Sequence, residues 1–176
     1  MAKTYGTVTT FTAGSVLTAA QLNVASTAVN NLVLPSAAKA RVTGNKALTS
    51  GNAVSWDAIS APGYDTDTMW SAGSPTRLTL NTPGIYIVVY NAYVLVTSTS
   101  STLRTASIYL NGSTTAAQGV WDTVTTAGYS MSVSAMINST TGTDYVEAFH
   151  SFTGGTHTLQ TDARSFFAAT WIGRAS

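Results

Sequence analysis

The 176-residue sequence contains no cysteine and little charge. The missing cysteines exclude a disulfide framework, thiol catalysis and a cysteine-ligated zinc site. Charged residues make up only 9% of the chain, and the eight basic and seven acidic residues are scattered singly, for a formal net charge of +1. Capture of nucleic acid or of an anionic membrane needs clustered Lys and Arg. We therefore expect neither as a partner.

Long apolar runs and nucleotide-binding motifs are also missing. No segment approaches the roughly 18 apolar residues of a membrane span, and residues 1–10 lack the apolar stretch of a secretory signal. The sequence has neither a glycine-rich phosphate loop followed by Lys and Thr nor a Gly-x-Gly-x-x-Gly turn. No cofactor is expected.

The residues that are present indicate β-structure. Apolar residues make up 44% of the chain, too many for a disordered protein, and Ser, Thr, eight Tyr and four Trp outweigh the helix formers. The length fits one compact domain with a short appendage. Turn residues separate ten strand-like segments, at 40–43, 53–56, 76–80, 85–97, 103–110, 114–120, 129–138, 144–152, 156–160 and 164–173. This set predicts an all-β sandwich of two antiparallel sheets.

The appendage contains a predicted helix. Thr18 and Gln21 have the spacing of a capping box, and residues at helical spacing follow them: Leu22, Ala25, Val29 and Leu32. The helix over 19–31 ends before Pro35, which divides the chain into an N-terminal arm, 1–38, and a main domain, 39–176. Since so short a helix is marginal alone, it must dock on the main domain or on another protein.

The longest predicted strand, 85–97, is largely apolar on both faces. One face carries Tyr86, Val88, Tyr90, Ala92, Val94 and Val96, and the other Ile85, Ile87, Val89, Asn91, Tyr93 and Leu95. The closing strand repeats the pattern, with Phe166 and Phe167 on opposite faces. Because a sandwich buries one face of each sheet, a second body must cover the outer face. A symmetric oligomer is the simplest source, and the N-terminal arm is the alternative.

Four motifs of the main domain, taken in order, resemble the complement/tumour-necrosis-factor-like superfamily. They are Thr-Pro-Gly-Ile-Tyr-Ile-Val-Val-Tyr at 82–90, Ala-Ser-Ile-Tyr-Leu-Asn-Gly at 106–112, Gly-Thr-Asp-Tyr-Val-Glu at 142–147 and Ser-Phe-Phe-Ala-Ala-Thr-Trp-Ile-Gly at 165–173. In the third motif Thr143 separates the Gly from the Asp, which departs from the superfamily pattern.

The resemblance implies that residues 39–176 form an antiparallel jelly roll of about ten strands. It also implies a homotrimer packed around aromatic residues, and the expected interface residues are Tyr86, Tyr90, Phe166, Phe167 and Trp171. No catalytic residue carries over, because the superfamily consists of binding and structural modules.

Residues 11–23 have a second resemblance. Their sequence, Phe-Thr-Ala-Gly-Ser-Val-Leu-Thr-Ala-Ala-Gln-Leu-Asn, is similar to the opening of many tailed-bacteriophage virion proteins, where it precedes a variable C-terminal module. This resemblance implies that the arm anchors the protein to a particle, through Phe11, Val16, Leu17 and Leu22. The alternative is a helix that packs on its own jelly roll.

The two histidines are candidate metal ligands. His150 and His157 lie on neighbouring predicted strands that a turn at 153–155 connects, and Asp144 or Asp162 could complete a site. The spacing is not that of a known metal motif, and isolated strand histidines are usually surface or packing residues.

Two pairs of acids are candidates for calcium binding or glycoside hydrolysis. Asp65 and Asp67 share a face if their segment is extended, while Asp144 and Glu147 lie close in sequence. Segments of this kind are also ordinary solvated turns.

Aromatic residues outside the long strands are candidates for sugar stacking. They are Trp56, Tyr64, Trp70, Trp121 and Tyr129, with Trp70 and Trp121 as the candidate glycan-binding pair. The same residues could instead cap the sandwich or seal a subunit interface.

Together these features predict a non-enzymatic structural protein of a bacteriophage virion. We expect a trimeric capsid decoration or head-fibre protein on the particle exterior, whose arm binds the major capsid protein or another virion protein. The alternative is a tail-associated receptor-binding protein that recognises a host surface glycan. A polysaccharide-cleaving enzyme is a third candidate that lacks a convincing acid pair.

Overall fold

A computed structural model of the chain describes residues 16, 18–59, 64–97, 103–121 and 128–174. One helix precedes eleven strands in these ranges. The bounds are α1 Ala19–Val33, β1 Ala37–Arg41, β2 Lys46–Ala47, β3 Asn52–Ala53, β4 Arg77–Thr79, β5 Gly84–Val96, β6 Arg104–Leu110, β7 Thr114–Trp121, β8 Tyr129–Ser139, β9 Tyr145–Phe152, β10 His157–Leu159 and β11 Phe166–Gly173. No helix in the described ranges is both long and apolar enough to cross a bilayer.

The strands form two antiparallel sheets, which confirms the predicted all-β sandwich. Sheet A has the order β1-β11-β5-β10-β2, and β8 also pairs with β5. Sheet B has the order β3-β9-β6-β7, and β4 also pairs with β9. Nine of the ten predicted segments coincide with a strand to within a few residues, and the tenth, 53–56, is mostly irregular.

The departures from the predicted strands have local causes. Val54 N–H still bonds to Ala148 of β9, the partner of β3, but Trp56 N–H bonds to Pro75 outside that strand, so the backbone leaves the ladder after Val54. The sequence does not predict β2, since its two residues are too few to show a periodic pattern. Among the described strands it pairs with β10. β1 begins at Ala37, and the predicted division between 1–38 and 39–176 stays a prediction.

The capping box at the start of α1 is formed. Gln21 N–H donates to Thr18 Oγ1 at 3.3 Å, and Thr18 N–H donates to Gln21 Oε1 at 2.9 Å. Each side chain therefore satisfies a backbone donor that the first turn leaves open. The helix ends before Pro35, whose ring disfavours helical geometry in the preceding residue.

The core lies between the sheets, and β5 contributes most to it. Every second residue of β5 from Tyr86 to Val96 is buried. Trp56 stacks on Phe167 of β11 with ring centroids 5.8 Å apart, and the edge of Tyr90 meets both rings. The aromatic side of β5 is thus the inner side.

Two turns require glycine or its near equivalents. Asn111 and Gly112 both have positive φ, 53° and 70°, and Ser113 N–H bonds to the Leu110 carbonyl, which closes the tight turn between β6 and β7. Gly84 has φ of 142°, and a Cβ there would overlap the Trp171 indole and the Gly173 carbonyl oxygen. Only glycine therefore fits at the start of β5.

The sandwich has two distinct ends. The α1 end holds the starts of β1 and β5 and the end of β8, with Ile87 registered between Thr170 and Met136. The far end holds the end of β5 and the starts of β6, β8 and β10, with Val96 registered against His157. If the N-terminal arm attaches the protein to a larger particle, the far end of the sandwich points away from that particle.

Candidate functional site

The outer face of sheet A, the side turned away from the core, is apolar towards the α1 end. Met136 is 70% exposed, Ile172 49% and Ile87 42%, and strand pairing places Met136 of β8 directly beside Ile87 of β5. Ile85 and Val89 of β5 lie on the same face and are half-buried. Large apolar side chains grouped in this way on a strand surface usually mark an interaction site.

Towards the far end the same face carries cations on aromatic rings. Lys39 Nζ lies 4.4 Å from the centroid of Phe166, and the Arg164 guanidinium lies 3.7 Å from that of Tyr93. Arg164 also pairs with Asp162 at 2.9 Å. Charged side chains therefore border the apolar part of the face on its far side.

Most of the predicted interface residues lie in the core of the protomer. Tyr86, Tyr90 and Phe167 are fully buried, and Trp171 is nearly so. A side chain enclosed by its own protomer cannot contact a second copy, so the expectation is corrected for these four. Phe166 is half-buried on the outer face and is the one predicted residue that a second copy could cover.

The predicted anchoring residues are partly outside the described ranges. Phe11 and Leu17 fall there, whereas Val16 is 92% exposed and Leu22 58% exposed. Val29, on the same apolar stripe as Leu22, is 56% exposed. Between residues 18 and 29 the stripe is therefore not buried against the described part of the sandwich.

The two histidines converge at the far end on one hydroxyl group. Tyr129 OH lies 3.1 Å from His150 Nε2 and 2.8 Å from His157 Nδ1, and Tyr90 OH lies 3.5 Å from His150 Nδ1. Phe152 stacks on His157 with centroids 3.8 Å apart. Strands β5, β8, β9 and β10 each supply one of the hydrogen-bonding side chains, so the network joins the two sheets.

The network keeps both histidines neutral at neutral pH. Burial, followed by the charges of His157 and Arg104, lowers the pKa of His150 to about 3. Burial and the Arg104 charge lower the pKa of His157 to about 4, against an opposing hydrogen bond with the Gly154 backbone. Burial raises the pKa of Tyr129, so its hydroxyl stays protonated.

A metal ion does not suit this network. The Arg104 guanidinium is buried and lies 4.3 Å from the centre of the Tyr129 ring, so an added cation would meet an existing positive charge. Over the described ranges no three His, Cys, Asp or Glu side chains are grouped to hold a metal. Asp144 and Asp162 are engaged at other places in the fold.

The predicted acid pairs have structural partners. Asp65 accepts hydrogen bonds from the backbone N–H groups of Asp67, Met69 and Trp70, which shapes its loop. Asp67 is buried, and its Oδ2 accepts hydrogen bonds from the hydroxyls of Ser36 and Thr82. These two carboxylates hold the chain at the α1 end and do not face one another across a groove.

Asp144 and Glu147 serve separate contacts. Burial alone would raise the pKa of Asp144, but hydrogen bonds from Asn111, Ser139 and Thr141 outweigh it and lower that pKa. Glu147 accepts a hydrogen bond from Thr76 at 2.7 Å. The carboxylate of Asp144 therefore secures the β8–β9 turn, and Glu147 belongs to the outer face of sheet B.

The candidate glycan-binding tryptophans lie apart. Trp70 precedes β4 and Trp121 ends β7, and the order β4-β9-β6-β7 separates them by three strand spacings of about 4.8 Å. Both rings are half-buried against the core. Of the other loop aromatics, Trp56 is in the core, Tyr129 is in the histidine network, and Tyr64 is exposed.

Sequence reasoning missed Arg104 as a partner of the histidines and missed the paired rings of Tyr109 and Phe149 on sheet B. Each pair is far apart in sequence. The sequence did contain a signal for the two rings. Side chains alternate between the two faces along β6 and β9, and this alternation places Tyr109 and Phe149 on the outer face of their strands.

No protein-family model and no curated protein matches the chain. Solved structures do resemble it. The Eiger TNF of S. frugiperda is 16% identical, with a TM-score of 0.57 over 80% of this chain and 94% of that one. The globular domain of zebrafish complement 1qA is 11% identical, with a TM-score of 0.58 over 80% and 99%.

Murine APRIL is 13% identical, with a TM-score of 0.56 over 78% of this chain and 98% of that one. Identities this low establish the fold alone. The fold is typically non-catalytic. The described sandwich is therefore a jelly-roll domain of the complement C1q/TNF-like fold.

Proposed function

We propose that this protein is a non-enzymatic structural protein of a bacteriophage particle, a homotrimer that decorates the capsid or forms a short head fibre. Three copies associate through the outer face of sheet A. The N-terminal arm binds the major capsid protein or another virion protein, and the jelly rolls stand on the particle exterior.

The trimer is supported by the fold and by one surface. Domains of the C1q/TNF-like fold are typically trimeric. The outer face of sheet A offers exposed apolar side chains, Met136, Ile172 and Ile87, without a charge among them. Burying such a face against a second copy removes apolar area from water, at about 25 cal/mol per Å².

The anchor is supported by helix α1. Its capped start and the similarity of residues 11–23 to phage virion proteins are independent of the jelly roll. The single observation that carries the proposal is the exposed apolar stripe, Leu22 and Val29, on a helix that a short linker joins to β1. A helix of this length is stable only when docked, so the stripe calls for a partner surface.

The proposal is tested on phage particles whose genome encodes this protein. Virions are imaged by electron microscopy with a gold-labelled antibody against residues 40–176, and a deletion of residues 1–35 is tested for incorporation. We expect label over the head and a folded deletion variant that no longer joins the particle.

Each other outcome changes the assignment. Label confined to the tail tip would replace the decoration role with the tail-associated, glycan-recognising role. Full incorporation of the deletion variant would move the docking surface to the jelly roll. Particles that never carry label would overturn the virion proposal.

A further inference from the structure

The outer face of sheet B carries a pair of aromatic rings. Strand pairing places Tyr109 of β6 opposite Glu147 of β9, and Ser107 opposite Phe149. The rings of Tyr109 and Phe149 lie diagonally across the two strands, with centroids 4.4 Å apart and planes inclined by 50°. Both are half-buried, and neither faces the core. Packed against each other at this angle, they form a non-planar apolar platform on the sheet face.

Hydrogen-bonding groups surround this platform. Glu147 Oε1 accepts hydrogen bonds from Thr76 Oγ1 at 2.7 Å and from Arg77 Nε at 3.4 Å. From the described residues its Oε2 accepts none. On the other side Gln118 Nε2 donates to Ser107 Oγ at 3.2 Å, and the amide oxygen of Gln118 accepts no hydrogen bond from the described residues. The platform thus lies between a carboxylate oxygen and a side-chain amide.

The carboxylate of Glu147 is held in place by its neighbours. Arg77 is fixed by its ion pair with Glu147 and by the Tyr145 ring, whose centroid lies 4.0 Å from the guanidinium carbon. Glu147 is only 7% exposed although it stands on the outer side of the sheet. Groups ordered before a ligand arrives lose little conformational freedom when it binds.

The charge of this face restricts the ligand. Across the described parts of β4, β6, β7 and β9, the outer side carries one cation, Arg77, and one anion, Glu147, and they neutralise each other. A nucleic acid or a polyanionic sugar would find no excess of positive charge. A protein partner with an apolar surface would strip water from the Ser, Thr and Gln side chains around the rings.

A neutral sugar satisfies both parts of the face. One side of a pyranose ring presents C–H groups that stack on aromatic rings, and its edge presents hydroxyls that donate and accept hydrogen bonds. A sugar stacked on Tyr109 and Phe149 would bring its edge to Glu147 on one side and Gln118 on the other.

We propose that the outer face of sheet B binds an uncharged glycan, stacked on Tyr109 and Phe149 and hydrogen-bonded to Glu147 Oε2 and to Gln118. This site is distinct from the predicted pair Trp70 and Trp121. It also lies on the sheet opposite to the proposed trimer surface, so a trimer displays three copies of it. The proposal goes beyond a role on the particle, because it holds for the free protein.

The test uses the full chain and three neutral probes, namely maltohexaose, cellohexaose and mannohexaose, with a polygalacturonate oligomer as the charged comparison. Binding is followed by calorimetry and by backbone amide shifts. We expect at least one neutral probe to bind, with shifts confined to β6, β7 and β9, and the charged oligomer to bind at least about tenfold more weakly.

Variants locate the site. Tyr109→Ala and Phe149→Ala should each weaken binding by about tenfold or more, and Glu147→Gln by a smaller factor. Tyr64→Ala, which removes an exposed aromatic ring elsewhere, should leave affinity unchanged. Amide shifts of the unmodified protein keep the test decisive if a platform variant fails to fold.

Three results would overturn the site. They are no binding of any neutral probe at about 10 mM, shifts that map to Trp70 or Trp121 instead of β6 and β9, and full affinity in folded Tyr109→Ala and Phe149→Ala proteins. Incorporation of Tyr109→Ala into particles is expected to be normal. A failure of the glycan site is therefore distinguishable from a failure of the virion proposal.

Discussion

Two histidines that share one tyrosine hydroxyl make the far end of the sandwich sensitive to acid. Tyr129 OH has one proton to donate, so it can donate to only one of His150 and His157 while it accepts from the other. If both imidazoles are protonated, both must donate to the same oxygen, and the tyrosine proton loses its acceptor. The buried Arg104 guanidinium lies against the same ring.

The pH dependence of the free energy of unfolding follows from the lowered pKa values of His150 and His157. The pKa values of His150 and His157 are about 3 and about 4 in the folded chain, below the ordinary value near 6.5. The unfolded chain therefore binds protons first as the pH falls. The stabilisation is complete above about pH 6.5 and is lost progressively towards about pH 4.

We predict that the free energy of unfolding falls by about 1.4 kcal/mol per pH unit for each histidine between about pH 6.5 and about pH 4. Urea unfolding at about pH 7.5 and about pH 5 measures the difference. The control is the His150→Gln/His157→Gln double variant, whose stability should change much less over this range. Equal slopes for the two proteins would contradict the prediction.

The residues of this network illustrate what a sequence alone can predict. The turn at 153–155 predicted that His150 and His157 lie on neighbouring strands of one hairpin. The two imidazoles do meet, with centroids 5.8 Å apart, but β9 and β10 belong to opposite sheets and do not pair with each other. Arg104 and Tyr129 come from strands that are remote in the chain, so no local pattern links them to the histidines. The sequence therefore could not predict that the histidines share a tyrosine hydroxyl beside a buried arginine, because those contacts are made only in the folded chain.

At the scale of single elements, local signals predicted the structure well. The capping box at Thr18 and the long strand β5 both form as expected, because each depends on residues near in sequence. For the same reason the Asn-Gly pair at 111–112 adopts the positive φ angles of a tight turn. The inner side of β5 could not be deduced in the same way, since both of its faces are apolar. Burial of Tyr86 and Tyr90 resolves that ambiguity.

The start of β5 depends on one glycine. Gly84 combines a φ of 142° with backbone that lies directly against Trp171 and Gly173. We predict that Gly84→Ala lowers the free energy of unfolding by at least about 2 kcal/mol, since a Cβ is strained there and overlaps its neighbours.

Urea unfolding measured against a matched glycine tests this prediction. Gly73 lies in a turn with no atom within 4 Å of the position of a Cβ, so Gly73→Ala should be nearly neutral. A Gly84→Ala protein as stable as Gly73→Ala would show that the turn before β5 can relax around the added methyl group.

For the whole molecule, the distribution of apolar residues assigns the two proposed roles to different sheets, trimer formation to sheet A and glycan binding to sheet B. The outer face of sheet A is exposed and apolar towards the α1 end, where the arm joins the domain. The outer face of sheet B combines paired rings with a neutralised ion pair. Sequence patterns predicted that a second body covers one sheet, but they could not tell which side chains remain outside.

Oligomeric state tests the assembly surface directly. Ile87 is 42% exposed on the outer face of sheet A near the α1 end, between Met136 of β8 and Thr170 of β11. If three copies bury this face, Ile87→Glu places a carboxylate in an apolar interface without a partner, at a cost of several kcal/mol. We expect the unchanged protein to have the mass of three chains by light scattering and Ile87→Glu to have the mass of one.

The matched control is Val120→Glu, which changes a 58% exposed apolar residue of β7 on the other sheet. It should keep the mass of three chains, because its carboxylate remains in water. Circular dichroism of both variants verifies that the strands are formed. An Ile87→Glu protein that keeps the mass of three chains would exclude this face as the interface. An unpaired carboxylate buried there is expected to dissociate the trimer.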